Sequence, residues 1–166
     1  MADDTARDQE LRNHLVYLLR GGGAHIDFDA FVAELPAQLI NKKIDFLPYT
    51  IWQVLEHMRI AQWDILEFSR NARHRSPPFP EGYWPPPDGV ADDEAFRKTV
   101  RKFQSDLTEM EELVANPETD LFAAIPHGEG QTILREALLI ADHNSYHLGA
   151  LLVMRRIVTG SESTGG

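Results

Sequence analysis

At 166 residues, with 43% hydrophobic and 25% charged side chains, the chain has the size and composition of one globular domain able to bury a core. A formal charge of -10, with Lys and Arg scattered along the chain, opposes binding to phosphate backbones and excludes nucleic acid as an expected partner. The absence of cysteine removes disulfides, thiolate metal ligands and a cysteine nucleophile.

No apolar run approaches the roughly 20 residues that cross a bilayer, so no membrane partner is expected. The start, "MADDTARDQELRN", lacks the basic and apolar stretches of a secretory leader, and the expected location is cytoplasmic. Residues 1–159 are expected to form a single helical domain. The polar remainder, 160–166, is expected to be a mobile tail.

A first helix is predicted from about Thr5, with Thr5 and Asp8 as a capping pair, through "LRNHLVYLLR". Three glycines, Gly21 to Gly23, stop it. A shorter helix is predicted in "DFDAFVAELPAQLI", entered at Asp27 or Asp29 and disturbed at Pro36. The next, "PYTIWQVLEHMRIAQWDILEFSRN", has Pro48 as a start signal. Its residues Val54, Ala61, Ile65 and Phe68 form an apolar stripe. Trp52, Arg59 and Trp63 form a second stripe, whose exposure would make the protein a homodimer.

Six of the residues from Pro77 to Pro87 are proline, which excludes regular helix or central strand there. This segment is either a stiff connection or a cover over a site, with Phe79, Tyr83 and Trp84 as a wall. A helix follows in "DDEAFRKTVRKFQSDLTEMEELVAN", opening on acidic residues and closed by Pro117. The last is "QTILREALLIADHNSYHLGALLVMRRIV".

Within that last helix His143 and His147 lie four residues apart, so they project from one face. Ile140, Leu151 and Met154 continue the same face, which turns both rings towards the bundle interior. Two adjacent buried imidazoles are costly without partners, and a divalent metal binds neutral rings and supplies one. There is no HExxH, because Asn144 and Ser145 follow His143, and no Glu-x-x-His of the carboxylate-bridged type. A third ligand is open among His14, His25, His57, His74 and His127. Of these His57 leans towards the core, and the other four read as solvated side chains.

The segments "WQVLEHMRIAQWDILEF" and "EALLIADHNSYHLGALLVMRR", with "FPEGYWP" between them, resemble the DinB superfamily and its branch related to metal-dependent thiol transferases. The resemblance implies an all-α fold, an up-and-down bundle of four main helices. It also implies one divalent ion, zinc or nickel, held by His57, His143 and His147. Relatives of this kind activate a low-molecular-weight thiol or a water for transfer, isomerisation or hydrolysis.

Three histidine ligands leave a coordination position at which such a water or thiol becomes more acidic. No protein residue is assigned as the catalytic group. Gln53, Asp64 and Asn144 are candidates for orienting a ligand or bound water. The expected function is a metal-dependent transferase or hydrolase acting on a small molecule, with a low-molecular-weight thiol as cosubstrate. A non-catalytic, metal- or ligand-binding stress-related bundle is the alternative, and a bundle with hydrogen-bonded core histidines is a third reading.

Overall fold

The computed structural model describes residues 2–163, which form five α-helices. They are α1 (Ala2–Leu19), α2 (Phe28–Ala33), α3 (Ile51–Arg70), α4 (Asp93–Ala115) and α5 (Ile133–Ser163). Two single 3-10 turns, Ala37–Leu39 and Glu81–Tyr83, lie between them. No helix among the described residues is long and apolar enough to cross a membrane.

Local chemistry sets most of the ends. The Thr50 hydroxyl accepts from Gln53 N while the Gln53 side chain accepts from Thr50 N, a reciprocal cap that starts α3 two residues after Pro48. Asp27 caps α2 by accepting from Ala30 N, and Asp92 caps α4 by accepting from Ala95 N. After Pro36 the chain takes a 3-10 turn rather than continuing α2. Gly21 and Gly23 adopt positive φ of 72° and 96° beyond α1, conformations that cost glycine little.

Two boundaries differ from the sequence expectation. Helix α1 begins at Ala2, so Thr5 lies within it and Asp8 is bonded to Arg12 rather than capping. Helix α5 runs to Ser163, so the polar segment from 160 continues the helix. Only the last three positions of the expected tail, 164–166, lie outside the described residues.

The direction of α4 also differs. Glu56 accepts from Thr99, Gln62 donates to the Phe103 carbonyl, and Arg70 pairs with Glu109. These partners ascend together, so α3 and α4 run parallel. On α5 the order reverses, with His147 against His57 and Asn144 against Gln62. Arg12 and Arg20 of α1 reach Asn116 and Glu111 respectively, so α1 is antiparallel to α4. The four long helices therefore run up, down, down, up. The proline-rich connection, residues 71–92, is long and extended enough to return the chain along the bundle, which a short turn between α3 and α4 could not do.

Arg12 is buried at the C-terminal end of α4, where its guanidinium donates to the carbonyls of Val114, Asn116 and Thr119 and pairs with Asp8. A cation there satisfies carbonyls that the helix leaves open and complements its dipole. The apolar interior falls into two clusters. One gathers Phe31, Leu55, Met58, Phe103 and Leu151. The other gathers Leu66, Met110, Val114, Leu121 and Ile140. Between them α3 contributes Gln62, α4 Asp106 and α5 His143 and Asn144, a polar layer across the bundle.

The aromatic stripe behind the homodimer expectation is only partly covered within the chain, with Arg59 and Trp63 half-buried. Trp52 is buried and its Nε1 donates to Thr99 Oγ1 of α4. Arg59 pairs with Glu56, and Trp63 meets the His74 ring edge-on. Helix α4 thus covers the Trp52 end of the stripe.

Candidate metal centre

Helices α3 and α5 cross at the polar layer, and there the rings of His57, His143 and His147 converge. Nε2 of His57 lies 3.2 Å from Nε2 of His147 and 3.2 Å from Nε2 of His143. One nitrogen from each ring falls within 4.8 Å of the other two. With Zn–N bonds of about 2.05 Å and tetrahedral angles, neighbouring ligand nitrogens sit about 3.3 Å apart. The two 3.2 Å spacings from His57 match that requirement.

Hydrogen bonding alone does not account for this cluster. Nδ1 of His57 lies 2.8 Å from the Tyr83 carbonyl, an atom that only accepts, so Nδ1 carries the proton. In the neutral ring Nε2 is then a single lone pair facing two other ring nitrogens. It can accept well from one of them. A cation serves all three, and the donor set fits a divalent ion.

Burial keeps the rings neutral. The His57 pKa is lowered by desolvation, partly offset by the bond to Tyr83. Desolvation, with His57 as a neighbouring charge, pushes His143 down to about 4. His147 falls to about 4 from desolvation and the neighbouring charges of His143 and His57. Neutral imidazole is the ligating form.

The proline-rich segment is built into this centre. Trp84 stacks on His57 at 3.9 Å with the rings parallel, and Tyr49 stacks on the other face of Trp84 at 3.7 Å. The Tyr83 hydroxyl donates to Asp64 Oδ2 over 2.6 Å while its carbonyl holds His57. Burial, then the bond to Asp64, raises the Tyr83 pKa to about 12, so the phenol remains a donor.

Of the candidate orienting residues, Asp64 acts on His57 only through Tyr83, and its other oxygen bonds His74 at 2.7 Å. Gln53 spends its amide on the α3 cap and on the carbonyls of Pro86, Pro87 and Gly89, so it holds the loop rather than a ligand. Asn144 donates to Gln62 Oε1 at 2.8 Å.

The remaining histidines stay apart from the centre. His14 is exposed beside Glu10, His25 bonds the neighbouring Ile26 carbonyl, and His127 donates to the Phe68 carbonyl. His74 departs from its expected solvated state. It is buried between Asp64 and Trp63, because the chain after α3 folds back onto that helix. Gln62, almost fully buried, escaped the sequence reading, since one amide in an apolar stripe carries no pattern of its own.

Two clefts meet at the centre, with Trp84 in the wall of both. One, of about 410 Å3, is lined by His57, His143, Phe79, Tyr83, Phe68 and Leu139, with Arg135 and Glu136 contributing charge. The other, of about 480 Å3, is more apolar and is lined by His147, Tyr49, Val54, Tyr146 and Val153. Because Trp84 also braces a candidate ligand, Trp84→Ala is expected to lower zinc affinity about 10-fold, the lower end of what losing a supporting contact costs. Trp84→Phe should retain most of it. A competitive zinc titration checks this, and equal affinities for Ala and wild type would reduce the loop to a wall.

The DinB superfamily model matches residues 24–151 of the chain. No curated protein and no solved structure matches.

Proposed function

This chain belongs to the DinB superfamily, and from that premise we propose that it is a metal-dependent enzyme acting on a small molecule, by transfer involving a low-molecular-weight thiol or by hydrolysis. The observation that carries this reading is the convergence of three neutral imidazoles at the junction of two clefts. Three protein ligands suit a catalytic rather than a closed structural site, and an all-imidazole set suits zinc or nickel.

When bound, the ion supplies Lewis acidity that lowers the pKa of a thiol or water beside it. The chain's own groups do the rest. Phe68, Phe79 and Leu139 shield the apolar body of a substrate from water, while the mutually paired Arg135 and Glu136 form a polar edge of the same cleft. Trp84 separates that cleft from the apolar one, so two reactants can approach the centre from different sides. The expected setting is the cytoplasm.

The test is a turnover screen of zinc- and nickel-loaded protein against thiols paired with electrophiles, and against esters and amides. Turnover that needs the metal and disappears in His57→Ala is the expected result. Ligand binding without turnover across the screen would identify a non-catalytic bundle instead.

A further inference from the structure

One face of α3 carries both a candidate ligand and the anchors of the segment that braces it. Gln53 and Asp64 lie four residues before and seven residues after His57, so all three project on that face. Gln53 Nε2 donates to the carbonyls of Pro86, Pro87 and Gly89, just beyond Trp84. Asp64 Oδ2 accepts from the Tyr83 hydroxyl at 2.6 Å, just before Trp84. The other Asp64 oxygen lies 2.7 Å from Nε2 of His74, whose ring is buried edge-on against Trp63. The turn between these anchors is packed without slack. Gly82 N donates to the Pro78 carbonyl at 2.7 Å. A Cβ on Gly82 would come within 2.6 Å of Pro77 Cβ and 2.8 Å of Pro78 Cδ, and neither proline ring can swing aside.

We propose that Asp64 is a positioning residue for the metal centre. It holds the Tyr83 hydroxyl, and so fixes the turn that brings the Tyr83 carbonyl and the Trp84 ring to His57. The role rests on the reading of the three histidines as a metal centre. The hydrogen-bonded path from His74 through Asp64 and Tyr83 to His57 Nδ1 is continuous, with no step longer than 2.8 Å. Anchoring the far end of a rigid phenol limits where the backbone at its near end can sit. The carbonyl is thereby kept on Nδ1, and Nε2 of His57 is left as the bare ligating lone pair. Asp64 borders the cleft beside His57, but both its oxygens are engaged, which suits an anchor rather than a proton acceptor.

Competitive zinc titration and long-range 15N-correlated NMR of the metal-free protein read the two consequences of this link. Tyr83→Phe removes one oxygen and keeps the ring. It and Asp64→Ala should each weaken zinc binding about 10-fold and move His57 away from the Nδ1–H form. The double variant should bind zinc no more weakly than Asp64→Ala alone, because the Tyr83–Asp64 bond is already lost there. Gly82→Ala removes no polar group, yet it displaces the turn and should give the same two changes. Unchanged affinity and His57 tautomer in Tyr83→Phe and Gly82→Ala overturn the proposal, as does a double variant whose loss is the product of the two single losses. A wild type that binds no zinc, with Nδ1–H at His57 and that form lost in Tyr83→Phe, would strike the metal reading and leave the anchor standing.

Discussion

Replacing His57, His143 or His147 by Ala is expected to reduce bound zinc or nickel from about one ion per chain to near zero, because the site has three protein ligands and each carries a full share of the coordination. His14→Ala, His25→Ala and His127→Ala should leave metal content unchanged, since their rings bond elsewhere. The metal-free variants should stay folded. The apolar clusters above and below the centre are intact, and removal of one ring relieves lone pairs crowded at 3.2 Å. If the rings were ordinary hydrogen-bonded core residues, the outcome would invert. No metal would be bound by the wild type, and each substitution would cost about 1–3 kcal/mol by stranding a buried partner. Elemental analysis with urea denaturation of the same samples separates the two.

Acid should act on the same three residues. Burial lowers the pKa of His57, and those of His143 and His147 fall to about 4, against an unperturbed value of about 6.5. Between these values the unfolded chain binds protons that the folded chain refuses, so stability rises with pH across that window. Lowering the pH from about 6.5 to about 4 therefore destabilises the metal-free protein. Solvent reaching the half-buried rings and the coupling between them hold this loss to a few kcal/mol in all, on the order of the shift of one ring at about 1.4 kcal/mol per pKa unit. The metal-loaded protein should lose its ion over the upper part of the same range, since protons compete for the lone pairs. Urea midpoints measured against pH check this. A His57→Ala/His143→Ala/His147→Ala variant should show a flatter profile between pH 4 and 6.5, and an identical slope would contradict the assignment.

The helices were legible because their signals are local, but their caps only in part. Asp27 stands where a side-chain oxygen meets the first free N–H groups, and His143 and His147 share a face by spacing alone, whereas α3 is capped by Thr50 rather than opened by Pro48 and Thr5 lies inside α1. His57 could be singled out by its place near an apolar stripe, but its meeting with His147 spans 90 positions in sequence. What could not be read was whatever depends on how the loop from 71 to 92 travels. Periodicity carries no direction, so the parallel α3 and α4 were hidden. With them were hidden the cover of Trp52 by α4, the Tyr83 carbonyl on His57 and the fold-back that buries His74. Gln62 illustrates a different limit. Its importance comes from two partners, Phe103 and Asn144, on two other helices, and nothing adjacent in sequence announces either.

The central claim is that the chain holds one divalent ion on His57, His143 and His147. Native mass spectrometry of the wild-type protein, after incubation with zinc or nickel and removal of the excess, tests it most directly. The account predicts a mass increased by one ion per folded chain, with the increment absent when His143 is replaced by Ala. A wild-type chain that remains at its metal-free mass with both metals would contradict it.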